Sequence, residues 1–423
     1  MKVHKHSIVA VMLILTIMSD SAFFYTSIND RIRNTLLLFA TLFATVFLCK
    51  KKIREMQRKY RTLMFIWGCS WIFLLVYTVI KFPQTNITIL IFTSSYWIMP
   101  LLSLTFTIIA LHSRDGYKKI LRCVNYYVFA LYILLILQKV AFETAGIVFL
   151  PFYSRLITST NVYREFGVRL GMRGIENFMV IYNIFLILNK DKLKVQKLNY
   201  INFGLGLYCV IVIQQTRAYI ISFIITVSII LLQNALQKKR FIKSLILLCL
   251  GAAILISTNL LSDIIGSLFS TTESYGADQM VRVDAINYFI QYFLKNPIGG
   301  FGFADGNTYA SIVHGPLLRY WVNDIGLIGL LAQGGLLIIL PVFLLFVWMI
   351  KTISKLKHVH RITEERKFMI ICIWYIISTS ISLSIFDENR ILVAALIIGI
   401  FGLYTNTTLS DRYYLFEKRD IKI

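Results

Sequence analysis

Charged residues are scarce in this chain. Only 15% of its 423 residues are Asp, Glu, Lys or Arg, whereas 57% are hydrophobic. A soluble domain needs a more polar surface, so this composition excludes one and indicates an integral membrane protein. No fixed-period repeat and no long hydrophilic linker divides the sequence. We therefore predict that residues 1–423 form a single integral membrane domain.

The residue patterns of several functional classes are also missing. The six cysteines lie in apolar runs without a CxxC or Cys/His spacing, which argues against a zinc site and a disulfide framework. Neither GxGxxG nor Gly-Lys-Ser/Thr occurs where a nucleotide-binding loop would need it. The segments that carry the candidate site have no Ser/His/Asp order, no paired-carboxylate motif and no DxD motif. We expect neither a metal nor another cofactor.

Long apolar runs are what the sequence does have. About 20 residues cross a bilayer as a helix, so the chain has room for about 12 transmembrane helices. The predicted spans are 7–26, 34–49, 62–80, 87–111, 120–142, 174–189, 199–215, 218–233, 241–261, 322–350, 366–385 and 391–406. The first resembles a signal peptide with Ser21-Ala22 as a cleavage site, but we favour an uncleaved anchor. The fold class is therefore predicted to be an all-α polytopic membrane protein.

Basic residues alternate between the connecting segments. The 44 lysines and arginines outnumber the 21 acidic residues, and the formal net charge is +23. Most of this excess lies at the N-terminus, in every second connection and in the C-terminal tail. The positive-inside rule then places both termini in the cytoplasm. Attraction to anionic lipid headgroups accounts for the remaining excess, so membrane lipids are expected partners and nucleic acid is not.

The polar, glycine-punctuated stretch 262–321 falls on the opposite side and is predicted to be one large extracytoplasmic catalytic loop. Within it, apolar residues at helical spacing over 278–294 predict an amphipathic helix that either lies on the bilayer or caps the bundle. Asn296-Pro297 should end this helix. The glycines from Gly299 to Gly306 allow tight turns, which either contact substrate or only turn the chain.

Three residues are candidates for catalysis. Arg217 lies between two apolar spans, where it either reaches outer headgroups or binds a phosphate. Arg282 opens the amphipathic helix and either pairs with Asp278 or binds a second phosphate. His314 is the histidine predicted on the outer side, and it is either a solvated loop residue or a general base.

Further outer residues could bind an anionic or sugar substrate. Arg169 and Arg173 form a basic cluster that either binds an anion or frames the next span. Gln215, Tyr309 and Arg319 complete the predicted substrate-binding set, and Tyr275, Tyr320 and Trp321 are further candidates for stacking on sugar rings. For Asp387, Glu388 and Arg390 a local ion pair is the favoured interpretation.

Together these stretches resemble the O-antigen ligase/polymerase superfamily of bacterial membrane proteins. The family's Thr/Ser-Arg pair between two spans matches Thr216-Arg217, and its Arg-containing helix followed by Asn/His-Pro-x-x-Gly-x-Gly matches residues 282–302. A loop histidine and a Gly-x-x-Gly span start match His314 and residues 326–329. An Arg-x-x-Gly element resembles residues 170–174. In this chain Gly315-Pro316 follows the histidine, where the family usually has Asn, Ser or Gln.

The resemblance implies a glycosyltransferase type C-like bundle in the cytoplasmic (inner) membrane. It implies a metal-independent, inverting glycosyltransferase that takes a glycan from an undecaprenyl-diphosphate-linked donor. Arg217 and Arg282 would then neutralise the diphosphate, and His314 would deprotonate the acceptor hydroxyl. We favour a repeat-unit polymerase, with an O-antigen ligase as the alternative and a chain-length regulator and a flippase as candidate partners. A lipid-linked oligosaccharide flippase or a structural scaffold would be the rivals from other classes.

Overall fold

The computed structural model describes residues 5–19, 28–113, 116–150, 163–164, 166–190, 193, 195–238, 273–356 and 363–405. The predicted span at 241–261, the loop residues 262–272 and both chain ends lie outside these ranges. Nearly all of the described chain is helical, apart from connecting turns and a two-residue antiparallel hairpin of β1 (Tyr163–Arg164) with β2 (Gly167–Val168). The predicted all-α class is confirmed.

The described helices are numbered here in chain order. They are α1 (Lys5–Ser19), α2 (Ile28–Leu48), α3 (Lys50–Glu55), α4 (Arg58–Lys81), α5 (Ile87–Ser94), α6 (Leu102–His112), α7 (Tyr117–Ala145), α8 (Gly174–Leu188), α9 (Lys197–Tyr208), α10 (Arg217–Lys238), α11 (Glu273–Lys295), α12 (Ala310–Val313), α13 (Gly326–Leu356), α14 (Thr363–Ser382) and α15 (Ile391–Tyr404). A 3-10 segment (Ser95–Leu101) joins α5 to α6, a π-helical segment (Cys209–Gln214) follows α9, and a 3-10 turn (Val322–Asp324) precedes α13.

Several of these helices are long and apolar enough to cross a membrane. Five stretches meet this criterion among the described residues: Arg31–Leu48, Arg58–Lys81, Ile87–His112, Tyr117–Ala145 and Gly326–Leu356. Shorter apolar helices are His6–Ser19, Gly174–Leu188, Ala218–Asn234 and Ile391–Tyr404. The protein is therefore a multi-pass, all-α membrane protein, and the count of about 12 spans stays a prediction.

The centre of the bundle is α15, which is apolar on all sides and buried from Ile391 to Leu403. Such a helix needs neighbours all around it. Close approach to α6 depends on small residues, because a Cβ at Gly399 would lie 2.6 Å from the Cβ of Phe106. By contrast, α4 exposes a row of large apolar side chains that includes Phe65, Phe73 and Ile80, as expected for contact with lipid.

Elements distant in sequence meet at one end of the bundle, here called the loop end. The last residue of α4 contacts the turn after α11, and the start of α8 contacts the turn between α14 and α15. The start of α10 contacts that same turn, and the start of α13 packs against the last turn of α14. Among the described residues, the loop end brings together segments around Arg169, Arg217, the turn after α11 and Arg390.

Candidate active site

The turn before Arg217 is a tight connection between two helices. After α9 the chain forms the π-helical segment, Gln215 takes a left-handed conformation with φ 49°, and α10 begins at Arg217. The backbone N–H groups of Tyr219 and Ile220 donate to the Thr216 carbonyl oxygen. This confirms the predicted placement of Arg217 between two helices. Its side chain lies outside what the structure describes, so its contact with substrate stays a prediction.

Both glutamines before Arg217 are buried and bonded to backbone. Gln215 Nε2 donates to the Val212 carbonyl at 3.0 Å and to the Gly167 carbonyl at 3.4 Å, and Gln214 Nε2 donates to the Met172 carbonyl at 3.4 Å. In the structure these amides join the turn to the segment before α8, and Gln215 is 8% exposed.

Arg169 is bonded to the same turn. Its Nε donates to the Gln214 carbonyl at 3.0 Å, and its Nη2 donates to Thr216 Oγ1 at 2.9 Å. The hairpin before Arg169 is held in turn by Lys139, whose Nζ donates to the Phe166 carbonyl at 2.6 Å and to the Val168 carbonyl at 3.0 Å. Arg169 thus reaches the turn at which α10 starts, one residue before Arg217.

A second arginine group joins α8, α10 and the turn after α14. Arg390 Nε donates to the Tyr219 hydroxyl at 2.6 Å, and its Nη1 pairs with Asp387. Arg173, which is 4% exposed, donates from Nη1 to the Glu388 carbonyl at 3.4 Å. The local ion pair expected between Asp387 and Arg390 is present.

The charges of this group influence one another. Burial raises the pKa of Asp387 to about 6, although Arg390 and Arg173 act in the opposite direction. Asp324, three residues after Trp321, is close enough to Arg390 to act on its charge. Arg390 therefore connects the start of α10 with the end of the loop.

The glycine turn, residues 296–303, fills a break in a spanning helix. Helix α13 is interrupted at Gly335, where φ is 53° and ψ is −144°. Such a break leaves backbone donors and acceptors unpaired, and in a bilayer they must be satisfied by protein. The turn supplies the partners through four bonds: Phe301 N to Ala332 O (3.1 Å), Gly302 N to Gln333 O (2.6 Å), Leu336 N to Pro297 O (2.9 Å) and Leu337 N to Ile298 O (3.1 Å).

The glycines of this turn are explained by close approach. Gly300 has φ 57°, and a Cβ there would lie 2.0 Å from the Ala332 carbonyl oxygen. Gly302 has φ 63°, and its Cβ would lie 2.1 Å from Thr78 Oγ1. Left-handed backbone with no room for a side chain requires glycine. Of the two interpretations left open for these glycines, the contacts support a structural turn.

Lys81 was missed by the sequence reasoning. It ends α4, and its Nζ donates to Asn296 Oδ1 at 2.6 Å, to the Tyr77 hydroxyl at 2.9 Å and to the Gly300 carbonyl at 3.0 Å. The three donors of the Lys81 ammonium are thus directed at two residues of the turn and at Tyr77. The available signal was a lone lysine at the end of an apolar helix on the side where basic residues are depleted.

His314 ends the short helix α12. Its Nδ1 lies 3.3 Å from the Tyr320 carbonyl oxygen. A carbonyl only accepts, so a hydrogen bond at this contact is donated by Nδ1–H. The other ring nitrogen, Nε2, faces Gly306. Its ring centroid lies 4.7 Å from that of Trp321, which is 60% exposed. His314 therefore lies beside an exposed aromatic ring.

Arg282 lies on α11, which is bonded to α12, the short helix before His314. Its helical spacing puts it on the same face as Ala285 and Phe289. That face packs on the loop core, which we define as Phe82, Ala285, Phe289, Phe301, Ala304, Tyr320, Ile325 and Ala332. The Tyr288 hydroxyl donates to the Ser311 and Ile312 carbonyls, both at 3.1 Å, and so ties α11 to α12. Arg282 is exposed at one end of this face.

The remaining predicted residues differ in exposure. Arg319 is exposed, whereas Tyr309 is half-buried, with its ring 4.9 Å from that of Phe82 and its hydroxyl accepting from Gln84 N at 3.1 Å. Tyr320 is buried in the loop core, and the side chain of Tyr275 lies outside the described part. Within the described ranges, no three His, Cys, Asp or Glu residues are grouped as metal ligands would be.

A comparison with known families covers this region. Residues 202–326 match a family model described as O-antigen ligase. The matched segment includes Arg217, α11, the glycine turn and His314, and it ends at the first residue of α13. None of the curated proteins matches the chain. Over residues 202–326, the family match confirms the resemblance of this multi-pass membrane protein to the O-antigen ligase/polymerase superfamily.

Proposed function

We propose that the protein is a membrane glycosyltransferase that polymerises undecaprenyl-diphosphate-linked oligosaccharide repeat units. The product is a capsule, exopolysaccharide or O-antigen chain, formed on the outer face of the cytoplasmic membrane. The observation that carries this proposal is the family match over 202–326, because that family transfers glycosyl groups in polysaccharide assembly. The matched segment also contains all three residues that the sequence assigned to catalysis.

In the proposed reaction the acceptor sugar hydroxyl attacks the anomeric carbon of the lipid-linked donor. His314 Nε2 takes the hydroxyl proton, the new glycosidic C–O bond forms, and the bond from the anomeric carbon to the diphosphate oxygen breaks. Arg217 and Arg282 neutralise the departing diphosphate, so no metal is required. Direct displacement inverts the anomeric configuration.

The geometry of His314 supports its role as the base. Donation from Nδ1–H to the Tyr320 carbonyl, 3.3 Å away, would orient the ring and assign Nε2 to the acceptor proton. The exposed ring of Trp321 beside it is suited to stack on a sugar. The side chain of Arg282 is exposed, and the donor geometry of a guanidinium suits a phosphate.

The contacts divide the predicted substrate-binding residues. We propose that Arg169 and Gln215 position the turn before Arg217, since their donors are directed at backbone and at Thr216. Tyr309 positions the loop through Phe82 and Gln84. Arg319 remains a candidate substrate ligand because it is exposed.

An O-antigen ligase is the second candidate, since the matching family model is described by that name. The two enzymes share the donor and the chemistry and differ in the acceptor. A ligase passes a finished chain to lipid A core, whereas a polymerase passes it to another lipid-linked repeat unit. A host without lipopolysaccharide would exclude the ligase of this type.

The test is complementation of a polymerase-null host with Arg217→Ala, Arg282→Ala and His314→Ala. Loss of a general base typically costs about 10²–10⁴ in rate and loss of a charge-stabilising donor about 10²–10³, so long chains should disappear in each case. Asp284→Ala, an exposed change two residues from Arg282, is the matched control and should retain activity.

The accumulated intermediate distinguishes the candidates. Single repeat units on the lipid carrier would support a polymerase, and long unattached chains on the carrier would point to a ligase. Long-chain polysaccharide from all three variants at normal protein levels would overturn the mechanism.

A further inference from the structure

Helix α11 has apolar side chains on two faces. One face packs on the loop core through Ala285 and Phe289. The other carries Val283, Ile290 and Leu294, which are 56%, 37% and 63% exposed, and Ile298 follows just after the helix at 63%. A helix that only capped the bundle would present polar residues on its second face. This second row, residues 283, 290, 294 and 298, is called the outer stripe.

Residue counts along two spanning helices give the depth in the membrane of the stripe's lower end, which is the end next to the glycine turn. Lys81 is 20 residues after Arg61, or about 30 Å along α4, which is about the thickness of a hydrocarbon core. Lys81 bonds to Asn296 at 2.6 Å, so the turn lies at the membrane boundary of the loop end. On α13, Leu337 binds the Ile298 carbonyl and lies 14 residues before Lys351, about 21 Å from the opposite boundary. Helix α4 thus places the turn at the boundary, and α13 places Ile298 about 9 Å inside it, so Ile298 lies in the leaflet at the loop end.

The surface next to Ile298 is apolar as well. On α13, Leu336, Leu340 and Phe343 are 54%, 55% and 61% exposed at helical spacing, as expected for a lipid-facing row. Leu336 N bonds to the Pro297 carbonyl, so the lower end of the outer stripe continues this row. Ile80, near the end of α4, is 76% exposed.

The exposed residues of α11 become less polar toward the glycine turn, as expected if that end of the helix lies deeper in the membrane. Its upper part exposes Arg282, Asp284 and Asn287, whereas the residues next to the turn are Leu294, Lys295 and Ile298. A lysine at this depth extends its ammonium toward headgroups while its stem stays in the apolar layer.

We propose that the lower end of the outer stripe, Leu294 and Ile298, inserts into the acyl-chain region of the bilayer leaflet at the loop end. Val283, on the same stripe, stays in water. The loop is thereby anchored in the leaflet at the turn, while Arg282, 12 residues or about 18 Å before Leu294 on α11, remains in the aqueous phase. This inference concerns the surface of the protein and does not depend on which glycan it transfers.

Spin labels test the proposal in the full-length chain. Leu294→Cys, Ile298→Cys and Val283→Cys, each in a cysteine-free background, are labelled and reconstituted in phosphatidylethanolamine/phosphatidylglycerol vesicles. Oxygen concentrates in hydrocarbon and a nickel chelate in water. The ratio of oxygen to nickel collision rates should therefore be several-fold higher at 294 and 298 than at 283. A label at Phe343→Cys gives the reference ratio of oxygen to nickel collision rates for a lipid-facing position.

Two results would overturn the proposal. Equal, nickel-favouring ratios at all three stripe positions would show that the whole stripe lies in water. Low accessibility to both reagents at 294 and 298 would show that protein, from this chain or a second copy, covers the lower end. The Phe343→Cys and Val283→Cys labels also report whether the bundle and the loop are in place in the labelled protein.

Discussion

Two sets of cationic residues lie at the loop end, and they differ in what surrounds them. Arg169, Arg390 and Lys81 direct their donors at carbonyls, hydroxyls, an amide oxygen or a carboxylate of the protein. Arg282 and Arg319 are exposed on the loop. A cation that is bonded to several elements stabilises the fold, whereas an exposed one has its donors available to a substrate. The sequence alone did not distinguish Arg169 from Arg282 and Arg319, since it presented all three as candidates for contact with substrate.

Breaking the Arg390–Asp387 pair should have the largest effect on stability. Removing one partner of a buried pair leaves the other charge uncompensated, and Arg390→Ala is expected to lower the free energy of unfolding by about 3–5 kcal/mol at pH 8. Thermal unfolding in detergent measures it. The double variant Asp387→Asn/Arg390→Ala is the control and should recover part of the loss. An unchanged single variant would contradict the structural role of the pair.

This effect should depend on pH. Burial raises the pKa of Asp387 to about 6 in the folded protein, above its ordinary value of 3.8, so the folded state holds the proton more tightly than the unfolded state. The corresponding stability is present below pH 3.8 and is lost as the pH rises through about 6. Without Arg390 the pKa rises further, and the destabilisation of Arg390→Ala should shrink between pH 8 and pH 5. A pH-independent loss would argue against an ionised Asp387.

Filling the glycine turn should be the next largest perturbation. Gly300→Ala puts a methyl group 2.0 Å from the Ala332 carbonyl oxygen in a left-handed backbone, and we expect a loss of at least about 2 kcal/mol. The matched control is Gly171→Ala, where a Cβ meets no atom within 4 Å. Thermal unfolding compares the two. Equal stability of both variants would mean that the turn does not fill the break in α13.

Arg169 separates a structural role from substrate binding. Hydrogen bonds from a charged donor contribute about 1.5–3 kcal/mol, so Arg169→Ala should be destabilised by about that amount, and Arg169→Lys by less. Lysine lacks the guanidinium fork that reaches both Gln214 O and Thr216 Oγ1. Unfolding midpoints and polymer length are measured together. Normal stability with abolished polymer would return Arg169 to the substrate-binding set.

Changes of the exposed arginines should have the smallest effect on stability. Arg282→Ala and Arg319→Ala are expected to change the free energy of unfolding by no more than about 0.5 kcal/mol, because surface substitutions rarely do more. Arg282→Ala should nevertheless abolish long-chain polysaccharide. If Arg282→Ala instead unfolded the protein, Arg282 would belong with Arg169, Arg390 and Lys81, the cations bonded to the protein, and the comparison would fail.

Much of the architecture could be predicted from hydropathy. The apolar runs correspond to helices wherever the chain is described, and the amphipathic pattern at 278–294 lies within α11 (Glu273–Lys295). The Asn296-Pro297 stop marks the end of that helix, because proline disfavours helix in the residue before it. These features depend on local sequence, so they can be read without the fold.

The partners of the polar residues could not be predicted in the same way. Arg169 lies 47 positions from Thr216, and Lys81 lies 215 positions from Asn296. No periodicity carries information about such contacts. The glycines of the turn were left between two interpretations for the same reason, since the carbonyl that excludes a side chain at Gly300 belongs to α13.

By itself the sequence determined that this is a helical membrane protein and which loop carries the family's motifs, because the bilayer imposes long apolar helices and motifs are local patterns. Only the tertiary structure decided which cations are held by protein and which are exposed, and that the turn at Asn296–Phe303 completes the broken helix α13. Unpaired backbone groups and buried charges must find partners, and the packing of distant helices determines which partners are within reach.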